Sequence, residues 1–537
     1  MAKRKDRDSY LRGAFILAGA AMISRLLGAL YRMPLGRVMG DYAIGLFGYG
    51  YSFYNALWGI STVGINVAIS KVMAEKLARD DESGAYRVFR ISFVLLALTG
   101  TAAALVLALT ARPLAVGVAH NSDAYYAILA LSPALLLVAI EGALRGYFQG
   151  YQEMTPSAVS QIVEQFFRVA AIIGLAYVLL PRGPAVTAGG AALGATVGAA
   201  LGLIYLLLPL ARSRAEAGRR AAARRQPPER EPAGAIVRRV VALAIPISLA
   251  GVVIPIMGII DTFLVPVRLL AVGFTSTDAT RLFGQLTQFA MPLVNLPAVI
   301  TYGLQTSLVP AISEAQSLGD AAGIRGKTSS ALRASLVIAL PAFVGLWLLA
   351  APISGLLYNS PESGVPLAAL SGAVLFLMVQ QTTSGVLQGL GRTDVPVRNL
   401  VIGTVVKFAL EWVLTGIAAL NIRGAALSTV AGFLVASALN LYEVWRLAGI
   451  DIDWSSTLLK PAVSSAAMGI LLYFVYPPLE SALGMNWAAL TGVLLGGAVY
   501  VLVLLALGGV TERDFAVIPV VGPRIARVLK GVGLVRG

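Results

Sequence analysis

Long apolar blocks alternate along this chain with short polar connections. A run of ~20 mainly apolar residues crosses the hydrocarbon core of a bilayer. Fourteen such blocks are present, at residues 12–36, 43–73, 87–111, 124–149, 156–180, 186–211, 238–267, 281–313, 330–357, 365–390, 397–419, 424–446, 458–477 and 486–509. They are rich in Leu, Val, Ala and Gly and lack the strict alternation of a barrel strand, so they predict helices. The first block contains Arg25 and Arg32 and has no convincing cleavage site, so it reads as a span and not a secretory signal. The predicted fold class is an all-α polytopic membrane protein with about 14 transmembrane helices.

Composition agrees. Of 537 residues, 57% are hydrophobic and 13% charged, against ~25% charged in an average soluble domain. A soluble enzyme of this length is excluded. The absence of cysteine excludes disulfides and thiolate metal sites, and the single histidine, His120, cannot form a zinc cluster. With the N-terminus inside, 31 of the 42 Lys and Arg residues fall on the inner side, about 6 outside and 5 within spans. That is a strong positive-inside signal. It predicts a multi-pass membrane protein with both termini cytoplasmic. The net charge of +15 is then mostly topological and suits anionic membrane lipids rather than nucleic acid.

The two halves resemble each other. Phe47-Gly48 matches Phe283-Gly284 at an offset of 236, Glu75 matches Glu314 at 239, and Gln149-Gly150 matches Gln388-Gly389 at 239. Arg168 falls on Lys407 at the same offset. The agreement predicts two pseudo-symmetric six-helix lobes of the same orientation plus two extra helices. The expected organisation is an N-terminal lobe over 1–211, a basic cytoplasmic linker over 212–236, a C-terminal lobe over 237–447, extra helices over 448–510 and a basic tail over 511–537. The tail reads either as an interfacial helix or as a solvated end.

Ionisable residues inside spans cost ~2.5–3.5 kcal/mol each and usually face a cavity or a partner. Arg25 and Arg32 are two turns apart on one face, ~10 Å along the axis, among Ala21, Gly28, Ala29 and Gly36. Arginine donates two parallel hydrogen bonds to phosphate, so an anion site for a phosphate or pyrophosphate headgroup is one reading. Pairing with carboxylates, or snorkelling of Arg32, is the other. Asp261 in span 7 reads as a counter-ion, a cation ligand or one side of a gating salt bridge. Glu141/Arg145, Glu164/Arg168 and Lys407/Glu411 stand at i,i+4 spacing, which puts each pair on one helix face. Self-neutralisation and a cavity role both fit Arg168 and Lys407. Prolines at 246, 255 and 266 in span 7 and at 292, 297 and 310 in span 8 predict kinks.

Other motifs fail. Gly326-Lys327-Thr328 lacks the first glycine of a phosphate-binding loop and follows no strand. Asp451-x-Asp453 is one triplet in a short loop. No nucleophilic triad or acid–base pair stands out, so no catalytic residue is assigned.

The segment ISRLLGALYRMPLGRVMGDYAIGLFGYGYSFYNALWGISTVGINVAISKVMAE, residues 23–75, resembles the N-terminal signature of polysaccharide flippases of the stage V sporulation protein B type. These belong to the multidrug/oligosaccharidyl-lipid/polysaccharide exporter superfamily and are similar to lipid II flippases. The resemblance covers essentially the whole chain. It implies a central cavity between two lobes, alternating access and a polyprenyl-diphosphate-linked saccharide as cargo. It implies cavity cations in span 1. The Ser-Arg of that pattern falls on Ser24-Arg25 and its next arginine near Arg32, one residue further on. The span 2 cavity arginine has no counterpart, since the region reads Tyr54 to Trp58. Some members bind sodium through carboxylates of spans 7 and 11, where Asp261 and Glu411 lie. Lys407, one turn from Glu411, then stands where its ammonium would replace a cation. The substrate-binding expectation is Arg25, Arg32, Arg168 and Lys407; the gating or coupling expectation is Asp261, Glu411 and Glu164. No cofactor is expected beyond a possible monovalent cation such as sodium. The first alternative is a cation-coupled multidrug antiporter of the same superfamily; a membrane glycosyltransferase or ligase is the remote one. A duplicated fold of this kind can work as a monomer.

Overall fold

In hydrocarbon every backbone N–H and C=O must be satisfied within its own segment, and the chain answers with helix throughout. The computed structural model describes residues 16–17, 19–24, 26–222, 231–450 and 453–509, and within these the side chains of all but 63, 212–222, 246 and 249–252. No strand occurs among the described residues. The protein is an all-α polytopic membrane protein. Residues of the expected tail, 511–537, and part of the expected linker lie outside the described residues.

Among the described residues, nine helical segments are long and apolar enough to cross a membrane, or ten if one bent pair counts as one span. Two of the nine each contain two expected spans. Gly19–Leu77 has 59 residues and Ser455–Ala506 has 52. At ~1.5 Å per residue each exceeds one ~30 Å crossing severalfold. Both are broken by a glycine in the left-handed region, Gly40 at φ 69° and Gly484 at φ 74°. Only glycine adopts that conformation without strain. These glycines separate spans 1 and 2, and 13 and 14, without any loop.

The chain divides into two compact units, Met1–Gly284 and Gln285–Gly537. The first contains α1 (Arg32–Trp58), α2 (Gly64–Leu77), α3 (Glu82–Gly117), α4 (Ala124–Gly150), α5 (Met154–Leu179), α6 (Pro184–Ala222), α7 (Ala233–Ala271) and α8 (Ser276–Gly284). A π-helical turn, Gly59–Val63, joins α1 to α2. The core of this unit brings together Ile69 and Val72 of α2, Val88 and Phe89 of α3, Tyr147 and Phe148 of α4, Leu206 of α6 and Ile236 and Val240 of α7. The N-terminal half of α7 therefore packs within the first unit. The expected tether at 212–236 is partly helical: α6 runs to Ala222 and α7 starts at Ala233. The sequence RSRAEAGRRAA is built mostly of strong helix formers, which extends α6 beyond the apolar span.

The second unit contains a π-helical turn, Gln285–Ala290, then α9 (Met291–Ser317), α10 (Ala321–Leu348), α11 (Ala350–Tyr358), α12 (Gly364–Leu370), α13 (Gly372–Gly389), α14 (Asp394–Leu414), α15 (Ile422–Ala448) and α16 (Lys460–Ala506). Leu308, Ile312, Val386, Leu387, Val395 and Val444 form its inner core. Leu349, Met468, Leu472, Tyr500 and Leu504 form a second cluster, which seats the extra helices of α16. Pro297 and Pro310 lie inside α9, and Pro292 in its first turn just after the π turn.

The duplication extends to atomic detail. Asp81 caps α3 by accepting from Gly84 N at 2.8 Å, and Asp320 caps α10 by accepting from Gly323 N at 2.7 Å. Helices α4 and α13 end at Gly150 and Gly389. A Cβ at Gly146 would lie 3.0 Å from the Asn66 carbonyl oxygen, and one at Gly385 3.0 Å from that of Gln305. Each correspondence has the offset of 239 found in the sequence.

The α10 cap yields a prediction. Asp320→Ala should cost about 1 kcal/mol through the lost N-cap, whereas Asp320→Ser should stay close to wild type. Thermal unfolding in detergent separates the two, and equal melting temperatures for Ala and wild type would show that the cap is idle.

Candidate functional site

The ionisable residues buried in the spans are few, and in the first unit four of them meet. Glu141 and Arg145 come from α4; Glu164 and Arg168 come from α5. The i,i+4 spacing gives each helix one pair, with Arg145 Nη2 3.5 Å from Glu141 Oε1 and Arg168 Nη2 on Glu164 Oε1. The two pairs are joined across helices. Arg145 Nη2 lies 2.7 Å from Glu164 Oε2, and its Nε donates to Ser160 Oγ at 2.9 Å. Glu164 thus bridges two guanidinium groups. Two cations and two anions leave the cluster neutral, which offsets much of the cost of placing charge in hydrocarbon. Arg168 is also within electrostatic reach of Tyr51 and Tyr54 of α1.

Space for this cluster comes from α6. Gly190, Gly194, Gly198 and Gly202 recur every four residues on one face. A Cβ at Gly194 would fall 2.6 Å from Ile172 N, one at Gly198 2.5 Å from Arg168 Cβ, and one at Gly202 2.1 Å from Glu141 Oε1. Such small-residue stripes let membrane helices approach closely. Here the stripe brings α6 against α5 and leaves a niche for the fully buried Glu141.

The second unit repeats the device with different chemistry. Lys407 and Glu411 of α14 are both fully buried, and Lys407 Nζ is 3.8 Å from Glu411 Oε2. A Cβ at Gly432 of α15 would lie 3.1 Å from Lys407 Cβ. The repeat equivalents of Glu141, Arg145 and Ser160 are Gln380, Ser384 and Asn399. They form a network of amides and a hydroxyl with Asn440, and Arg398 Nε donates into its edge at Asn399 Oδ1, 3.2 Å. Gln380 Nε2 and Asn440 Nδ2 each donate to Ser384 Oγ at 3.1 Å, and Asn399 Nδ2 donates to Asn440 Oδ1 at 2.9 Å.

Arg25 lies outside the described residues. Arg32, at the start of α1, is half-buried. Its Nη1 donates to the Gly28 carbonyl at 3.2 Å, its guanidinium lies 5.5 Å from the Tyr31 ring centroid, and its Nε is buried without a hydrogen-bond partner. No carboxylate among the described residues forms an ion pair with it. Asp261 is buried in α7, two turns before Arg268. Among the described residues no group of three or more His, Cys, Asp or Glu side chains is placed to hold a metal ion.

All three i,i+4 pairs anticipated from spacing are therefore present. The Arg145–Glu164 contact was not anticipated, because it depends on how α4 crosses α5. The four-residue glycine repeat of α6 is the sequence signal that points to it.

Comparison with known proteins adds a family. The family model described as polysaccharide biosynthesis protein matches residues 10–316, and the MatE model matches residues 286–413. Stage V sporulation protein B of Bacillus subtilis (strain 168) is 27% identical over 97% of this chain and 100% of its own length. Lipid II flippase MurJ of the same organism is 28% identical over 92% of this chain and 94% of its own. A solved structure of lipid II flippase MurJ in an inward closed conformation superposes with a TM-score of 0.68, covering 91% of this chain and 98% of that one at 15% identity. At that identity the superposition shows a shared fold.

The charge cluster yields a prediction about stability. Arg145→Leu strands the buried Glu141 and leaves Glu164 with Arg168 alone, and should destabilise by roughly 3–5 kcal/mol. The double change Arg145→Leu with Glu141→Leu removes one charge of each sign and should recover a large part of that loss. Equal destabilisation by the single and double variants in thermal unfolding would show that the two charges do not interact.

Proposed function

We propose that this chain, which belongs to the polysaccharide biosynthesis protein family, is a flippase that carries a polyprenyl-diphosphate-linked saccharide from the inner to the outer leaflet by alternating access. It is a multi-pass membrane protein with a transporter fold, and the reading assigns it transport rather than bond-making chemistry. Cargo of the lipid II type fits best, in line with the lipid II flippase among its relatives. In this reading both termini are cytoplasmic and the protein works as a monomer.

The observation that carries the cargo assignment is Arg32. The other buried cations whose pairs are described above, Arg145, Arg168 and Lys407, each have a carboxylate of their own. Arg32 has a backbone carbonyl and an aromatic ring instead. A half-buried guanidinium without a carboxylate is ready for an anion that arrives and leaves, and its fork geometry matches a diphosphate. Arg25, seven residues earlier in the sequence, would extend the site by its helical spacing. Arg168 joins when Glu164 turns to Arg145, since Glu164 already contacts both arginines. Asp261 and Glu164 are the carboxylates that would trade partners as the protein changes state. Lys407 sits on Glu411 as a fixed counter-ion, in the place a sodium ion would take.

A cation-coupled antiporter is the second reading, favoured by the match of residues 286–413 to the MatE model. It would need an acidic site free to take a cation, whereas Glu411 lies 3.8 Å from Lys407.

Reconstitution in liposomes with fluorescent lipid II tests the assignment. Losing a charge-assisted contact worth ~1.5–3 kcal/mol should slow translocation about 10- to 100-fold in Arg32→Ala or Arg25→Ala. Translocation at the wild-type rate in both variants would remove the arginines from the headgroup site. Cation-driven dye exchange without lipid II movement would favour the antiporter. Wild-type transport should also be indifferent to sodium. Sodium dependence in the wild type, unchanged by Lys407→Asn, would show that Lys407 does not stand in for a cation.

A further inference from the structure

A cleft of about 680 Å³ opens between the first turns of α3 and the start of α7. That volume lies within the ~300–1,000 Å³ of small-molecule sites. Its polar end carries Arg87 and Arg90; its apolar wall is Ile91, Val94 and Leu98 of α3, faced by Val237 of α7. Residues 87, 90, 91, 94 and 98 share one stripe of the helix by their spacing. Val94 and Leu98 are 55% and 64% exposed.

The charge at the polar end is uncompensated. Nearby carboxylates are engaged elsewhere: Lys76 Nζ is 3.6 Å from Asp81 and 2.9 Å from Glu231, and Arg239 pairs with Glu75. Glu82, in the first turn of α3, forms no ion pair with Arg87 or Arg90, and neither arginine has a carboxylate partner among the described residues. Two cations therefore sit at the rim of a groove that continues into the span as exposed hydrocarbon.

We propose that this cleft binds one anionic phospholipid, with its phosphate on Arg87 and Arg90 and an acyl chain along Ile91, Val94 and Leu98. Depth selects this occupant. Arg90 to Leu98 is eight residues, ~12 Å along the helix, which is close to the ~15 Å from the edge of the hydrocarbon core to its midplane. A ligand there needs an anionic head at the interface and an apolar tail beneath it. Basic clefts between membrane helices at the end carrying the basic loops recognise anionic headgroups in this way. A lipid so placed bridges α3 and α7. The site is separate from Arg32 and stands whatever the cargo proves to be.

The test is native mass spectrometry of the full-length protein in detergent, titrated with phosphatidylglycerol or with phosphatidylcholine of the same chains. Phosphatidylglycerol should be retained in preference to phosphatidylcholine. Each arginine near an anionic lipid contributes about fivefold in affinity, so Arg87→Ala with Arg90→Ala should weaken retention about 30-fold, while the double lysine variant keeps most of it. Equal retention of the two lipids, or phosphatidylglycerol retention unchanged in the double alanine variant, would overturn the proposal. Retention of farnesyl diphosphate but not phosphatidylglycerol would also overturn it and assign the groove to the cargo. Should the alanine variant fail to fold, Val94→Gln with Leu98→Gln, both at exposed positions, reads the acyl wall alone. Loss of the lipid adduct with an unchanged melting temperature supports the site, and an unchanged adduct rejects it.

Discussion

Hydrocarbon offers no partner to a charge, and this constraint organises the interior of the protein. Glu141, Arg145, Glu164 and Arg168 are tolerated in the first unit because their charges pair with one another. They reach one another because α6 presents glycines where it crosses α5 beside them. The glycine stripe and the charge cluster are therefore one feature. The opposite face of α5 shows what the lipid side demands instead, with Phe166 and Tyr177 both exposed. One helix thus carries a hydrocarbon surface outward and a salt-bridge network inward, and nothing else about α5 needs a special explanation.

The duplicated units solve the same problem twice, with different chemistry. The second unit keeps the glycine against the buried cation, Gly432 against Lys407 where the first has Gly198 against Arg168. At the positions equivalent to Glu141 and Arg145 it places Gln380 and Ser384, within a network of neutral donors and acceptors. Amide and hydroxyl networks satisfy buried polar groups without the desolvation cost of ions. The ionic version in the first unit has a property the neutral one lacks. Its shared carboxylate can exchange arginines while the total charge of the cluster stays zero. A bundle that changes shape during transport gains from a network whose partners can swap without stranding a charge.

Much of this was legible in the sequence, and the parts that were not share a physical reason. The spans follow from apolar block length, and the three i,i+4 ion pairs follow from helix geometry, since both depend only on local periodicity. The caps at Asp81 and Asp320 share the offset of 239 but are not themselves marked in the repeat pattern. What could not be read was tertiary. The Arg145–Glu164 contact needs the crossing of α4 and α5, although the glycines at 190, 194, 198 and 202 were visible in the sequence. The uninterrupted passage from span 1 to span 2 rests on the single left-handed glycine Gly40, in a stretch that otherwise reads as a short connection. The helical ends of the linker arise because Ala and Arg favour helix as strongly outside the membrane as within it. Packing of the first half of α7 against Val72 and Val88 likewise required the assembled core.

The contrast between paired and unpaired cations separates scaffold from site. Arg145, Arg168 and Lys407 are costly to bury and are compensated from within the chain, so their presence alone says little about a ligand. Arg32, near the end of the first expected span, has a carbonyl and a ring against it and no ion pair among the described residues. A chain that places carboxylates beside Arg145 and Arg168 could have placed one here. Leaving the guanidinium open makes sense where the missing anion arrives with the cargo, because a built-in carboxylate would compete with a diphosphate for the same donors. The same logic applies at the rim of the membrane, where Glu75, Asp81 and Glu231 are paired away from Arg87 and Arg90. In both places, at Arg32 and at Arg87 with Arg90, no carboxylate among the described residues pairs with the guanidinium, which suits an anion brought by a ligand.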